Sequence, residues 1–171
     1  MTILLANISF YITAGVLVLI CLLYIIFISV YYPLLCKSKV YKKINQIRDE
    51  NHYDFELKKS KIDGSDFVLI KNDKRYLIKV LIVKAGCDLQ INNIETFVIY
   101  NGNNNNGKGL SDMHTFMTSK QTNRILILSS QAKTIKKVIN ESEMIMVDSN
   151  TNIYNTKLIN FNLIADWEKS L

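Results

Sequence analysis

The first 36 residues carry no charged side chain, and from Ile8 to Tyr32 they read ISFYITAGVLVLICLLYIIFISVYY, almost without a polar break. About 20 apolar residues in a helix cross the hydrocarbon core of a bilayer, so this stretch is long enough to span with tilt to spare. Tyr11, Tyr24, Tyr31 and Tyr32 supply aromatic anchors for its interfaces. Pro33 marks where regular helix is expected to end or bend. A signal peptide would need a basic leader, a shorter apolar core and a small-residue cleavage site. Nothing basic precedes Lys37 and no Ala-x-Ala follows the core, so residues 1–36 are expected to be an uncleaved transmembrane anchor.

Lys37, Lys39, Lys42 and Lys43 follow the span directly, and no Lys or Arg precedes it. The positive-inside bias predicts a single-pass protein with its N-terminus outside and its C-terminal domain in the cytoplasm or an equivalent compartment. The same lysines attract anionic headgroups. They also account for most of the net charge of +6, because of 21 Lys and Arg these four leave 17 against 15 Asp and Glu in the rest. A balance that even does not describe a strongly basic nucleic-acid-binding face. The three cysteines, Cys21, Cys36 and Cys87, are odd in number and unrelated in spacing, which makes neither a disulfide framework nor a zinc site. Cys36 stands at the edge of the span, where thiols are either acylated or inert.

Residues 37–52 form a basic juxtamembrane helix or linker, with Val40, Ile44 and Ile47 on one stripe. A domain over 53–171 follows. Tyr53, Phe55 and Leu57 alternate with charged residues as a strand over 53–59, and Asp63-Gly64 makes a turn. DFVLIK (66–71) and KRYLIKVLIV (74–83) are strands joined at Asn72-Asp73. Asp88 as N-cap, with Ile91, Ile94, Phe97 and Val98 in a stripe, predicts a helix. NGNNNNGKG (101–109) reads as a polar loop that does not pack. RILILSS (124–130) is a buried strand, QAKTIKKVINES (131–142) an amphipathic helix and MIMVD (144–148) a strand, with a short helix near Trp167. The order β-β-β-α-β-α-β describes an α/β domain with a mixed sheet flanked by helices.

DGSDFVLI (63–70) followed by YLIKVLI (76–82) resembles the core of the restriction-endonuclease-like, or PD-(D/E)XK, superfamily, especially its Mrr-type members. ILILSSQAKTIKKVINESEMIMVDSN (125–150) is similar to the strand, helix and strand that follow that core. The resemblance implies a site in which two acids on neighbouring strands hold magnesium. The metal would activate water and polarise a phosphate of DNA, and a lysine two residues along the strand would stabilise developing charge. Carried over, Asp66 falls on the first acid, Lys79 on the second acid or its glutamine substitute, and Leu81 on the lysine. One position of three survives, which describes a degenerate site in which Lys79 neutralises Asp66.

Plainer readings stand beside this one. Asp66 also fits a turn residue, and Lys79 a strand lysine whose stem lies along apolar surface. A rearranged working site would use Lys84 or Lys71 as the lysine and Glu56 or Asp54 as the second acid, with Asp66 as metal ligand. His52 and His114 share no motif, and Ser129-Ser130 reads as a strand end and helix cap. Lys133, Lys136 and Lys137 form a solvated face or a nucleic-acid contact. The leading expectation is a membrane-anchored, catalytically inactive module acting through protein contacts, with nucleic-acid contact as a secondary one. The alternatives are a magnesium-dependent DNA endonuclease with a rearranged site, and an accessory subunit of a membrane complex.

Overall fold

The structure is a computed structural model describing the backbone of residues 2–102, 106–110, 113–120, 123–148 and 151–167, with side chains described from residue 11 to residue 165 of these. It separates into two compact units, residues 1–36 and 37–171. Helix α1 spans Thr2–Ile26 and a π-helical segment covers Phe27–Tyr31 in the first; α2, Tyr32–Asn51, begins in the first unit and has its residues from Lys37 onward in the second. The helix from Tyr11 onward is long and apolar enough to cross a membrane by length and composition. Pro33 does not end it. Proline lacks an N–H and crowds the carbonyl four residues earlier, and the chain accommodates this with the wider π turn just ahead of it, where the Tyr32 N–H reaches back to the Phe27 carbonyl.

The second unit has two sheets. Sheet A has the order β1-β2-β3-β7-β11-β10, with β1 Glu56–Lys59, β2 Phe67–Lys71, β3 Lys74–Leu81, β7 Arg124–Leu128, β10 Asn152–Ile153 and β11 Thr156–Asn160. Sheet B has the order β6-β5-β4-β8-β9, with β4 Cys87–Ile91, β5 Phe97–Asn101, β6 Lys108–Gly109, β8 Thr134–Asn140 and β9 Glu143–Met146. The chain alternates between them, and β3 pairs β7 parallel, as β7 pairs β11 and β4 pairs β8. The β2–β3 hairpin closes through Asn72 and Asp73, both with positive φ, as a two-residue hairpin turn requires.

One core lies between the sheets, where Val68, Leu77 and Leu81 meet Leu89, Ile91, Phe97 and Ile135 around Phe116 of α3 (Met113–Met117). A second lies on the opposite face of sheet A, against Val40, Ile44 and Ile47 of α2. The 37–51 helix is therefore core rather than linker. The short α4, Ile164–Trp167, adds Ile164 to the same cluster.

Two expected helices are strands. Over 87–91 the burial alternates strictly, with Cys87, Leu89 and Ile91 inside, which is the period of a strand. Asn93 then turns the chain, its Oδ1 accepting from the Glu95 and Thr96 N–H groups. Asp88 caps no helix and accepts from the Thr134 hydroxyl at 2.7 Å. The 131–142 segment spaces Ile135, Val138 and Ile139 like a helix, but β-branched residues favour a sheet when a neighbouring strand is on hand, and β8 pairs with β4. Lys136 and Lys137 consequently alternate along a strand rather than sharing one face. The 101–109 loop is described in part, and Gly109 and Lys108 pair with Val98 and Ile99. A Cβ on Gly107 would fall 2.3 Å from Val98 Cγ1, so close approach to β5 requires glycine there.

Candidate functional site

Asp66 sits one residue ahead of β2, where Phe67 faces Ile78 across the hairpin. Its backbone is fully used, the N–H donating to the Ile78 carbonyl at 2.8 Å and the carbonyl accepting from the Ser60 N–H at 3.1 Å. The preceding chain turns away at Asp63 (φ 51°) and Gly64 (φ 72°), so it cannot continue the ladder beside β3. The side chain takes over. Val80 donates its N–H to Asp66 Oδ2 at 2.8 Å, and Lys37 Nζ lies 2.5 Å from Oδ1. Both carboxylate oxygens are engaged.

Lys79 lies on the inner face of β3, between Leu77 and Leu81, and is 4% exposed. Its ammonium donates to the Gly64 carbonyl oxygen at 2.7 Å and stands 6.0 Å from the Phe116 ring centroid. A buried ammonium is costly unless hydrogen-bonded, and the turn supplies an acceptor in the place where the strand has ended. The expected pairing of Lys79 with Asp66 is replaced by a different one. Among the described contacts the cation on Asp66 is Lys37, and Lys79 holds the turn that precedes it. The turn is further tied by Asp63 Oδ2, which accepts from the Ser119 hydroxyl at 2.7 Å, and by buried Ser65, whose hydroxyl donates to the Ile62 carbonyl at 2.7 Å.

The other candidates are elsewhere. Lys84 is exposed in the turn between β3 and β4, four residues beyond Val80. Glu56 pairs with Lys58 at 2.8 Å and lies opposite Ile70, at the far end of β2 from Asp66. Asp54 precedes β1, and Lys71 stands over the Tyr53 ring. No second acid reaches Asp66 from these positions. Among the described residues there is no group of three or more His, Cys, Asp or Glu that could hold a metal ion. His114 pairs with Glu95 at the surface, and the Ser129 and Ser130 hydroxyls bond to Val83 after β3 rather than capping a helix.

A second polar cluster had no signal in the residue pattern. Arg124, buried at the start of β7, donates to the Thr156 hydroxyl at 3.1 Å and to the carbonyls of Ser119 at 3.2 Å, Tyr154 at 3.0 Å and Met117. Burial lowers the pKa of its guanidinium. Its acceptors are mostly carbonyls, so the cluster joins the segment after α3 to the β10–β11 turn and offers no proton-transfer partner. Comparison of the chain with protein-family models, with characterised proteins and with solved structures finds no match.

Proposed function

We propose that this protein is a membrane-anchored module of restriction-endonuclease-like ancestry that performs no hydrolysis and acts through protein contacts made by the outer hairpin of sheet B. The observation that carries the reading is the placement of exposed apolar residues. Among the described residues of 37–171 the large hydrophobics left in solvent concentrate on β8–β9, where Ile139 is 52%, Met144 59%, Ile145 42% and Met146 68% exposed. β9 is the edge of its sheet, so its outer N–H and C=O groups are available to a strand from another chain. An apolar edge strand without a flanking lysine on it is a contact surface or an aggregation hazard.

Absence of hydrolysis is supported by the engaged state of Asp66, since neither oxygen is open to a divalent ion while Lys37 and the Val80 N–H hold them. Anchoring is supported by the apolar helix, and the placement of the domain on the cytoplasmic side by the lysines that follow it. The test is a photo-crosslinking amino acid placed at Met144 in the full chain in cells, with a control at exposed Lys74. Discrete adducts at 144 with none at 74 are expected. Equal labelling at both positions, or none, would remove the reading.

A further inference from the structure

A cleft of about 340 Å³ opens over the inner face of sheet A, lined by apolar Val68, Ile70, Leu77 and Ile62 and by the cations Lys58, Lys59 and Arg75. The register explains its composition. Val68 faces Leu77 and Ile70 faces Arg75 across β2–β3, while Lys58 of β1 faces Val68, so aliphatic side chains are bordered by cations within two strands' width. No acid lines it. Lys58 is shared with Glu56, which faces Ile70 at the border of the cleft. The Arg75 guanidinium has no hydrogen-bond or ion-pair partner among the described residues, and a guanidinium presents a planar fork suited to carboxylate or phosphate.

We propose that this cleft binds a single-chain anionic amphiphile taken from the bilayer, with the acyl chain on Val68, Ile70 and Leu77 and the anionic head on Arg75. Its volume lies at the lower end of the roughly 300–1,000 Å³ typical of small-molecule sites, which suits one chain rather than two. The charge pattern selects an anion over a neutral lipid. The inference rests on the anchor reading for the source of the ligand and is independent of the proposed hairpin contact.

The experiment uses the full chain in phosphatidylcholine nanodiscs with diazirine-bearing palmitic acid, followed by peptide mapping of adducts. Labelling of the residue 11–36 span reports any probe in the bilayer and is the internal reference. Adducts on residues 62–77 are expected, falling about tenfold in Arg75→Gln, as loss of a charge-assisted hydrogen bond implies, while span labelling is unchanged. On the unaltered protein, diazirine-bearing hexadecanol should label the span and leave 62–77 unlabelled. Ile70→Trp, which fills the cleft, should abolish the adduct. A labelled span with no adduct on 62–77, or an adduct there that the alcohol reproduces and Arg75→Gln does not reduce, would overturn the proposal. Loss of the hairpin crosslinks would leave these results untouched.

Discussion

Lys37 Nζ lies 2.5 Å from Asp66 Oδ1 while Asp66 Oδ2 accepts the Val80 N–H, so one carboxylate joins the first turns of α2 to both strands of the β2–β3 hairpin. Asp66 is thereby an architectural acid. It stands in for backbone that has turned away and provides the counter-charge for a lysine read from sequence as a headgroup ligand.

The two duties of Asp66 can be separated. Asp66→Asn keeps an acceptor for Val80 but loses the ion pair, which is partly exposed on its lysine side; a cost of about 1 kcal/mol or less is expected. Asp66→Ala leaves the Val80 N–H unsatisfied as well, for about 1–3 kcal/mol. Chemical denaturation of the full chain in detergent measures the difference, and equal costs would mean that the strand-capping bond contributes nothing.

Gly64 should tolerate no side chain. Its φ of +72° is in the left-handed region, and a Cβ would lie 3.3 Å from the Phe116 backbone nitrogen and 3.4 Å from Thr115 Cβ. Gly64→Ala is expected to lose about 1–3 kcal/mol, combining backbone strain with displacement of α3. A thermal midpoint equal to that of the unaltered chain would contradict the packing of the turn on α3.

Lys79→Met keeps the length and apolar stem but leaves the Gly64 carbonyl without its donor. We expect about 1–3 kcal/mol of destabilisation and no gain of DNA cleavage with magnesium or manganese. Cleavage by this variant, or by the unaltered chain in a form sensitive to Asp66→Ala, would restore the nuclease reading.

Arg124 serves four acceptors from inside the domain. Arg124→Met should cost roughly 3–5 kcal/mol, since several buried polar groups lose one partner together. Arg124→Lys should recover only part of this, because a point ammonium cannot reproduce the fork. Hydrogen exchange should show the extra opening concentrated at β7, β10 and β11; a uniform change would argue against a local clasp.

What could be read from residues alone was the long apolar N-terminal helix, the first three strands with their turns, the buried strand at 124–128 and the apolar stripe of α2. Each has a period or a turn residue that admits one interpretation. In sheet B the strand expected at 144–148 is present as β9, but β4, β5 and β8 were not legible, because Ile91-Ile94-Phe97-Val98 and Ile135-Val138-Ile139 satisfy helical spacing while their short runs satisfy strand spacing equally well. The pairing of β4 with β8 decides between them, across some 45 residues of chain. Lys37 was within reach, since 37, 40, 44 and 47 lie on one helical stripe, which points that lysine at the sheet. The identity of its acceptor was not, because 29 residues separate it from Asp66. Arg124 carried no signal at all: its acceptors are mainly backbone carbonyls, to which any sequence is silent.

Lys37 and the Val80 N–H occupy the Asp66 carboxylate, and the central proposal is that this occupancy keeps a metal ion away. The direct measurement is a thermal-shift titration of the full chain in detergent with magnesium and with manganese. A ligand specific to the native state at 100 times its Kd stabilises by about 2.7 kcal/mol, so binding at Asp66 would raise the midpoint in a concentration-dependent manner. The account predicts a flat midpoint in both titrations. A rise that saturates and disappears in Asp66→Asn would contradict it.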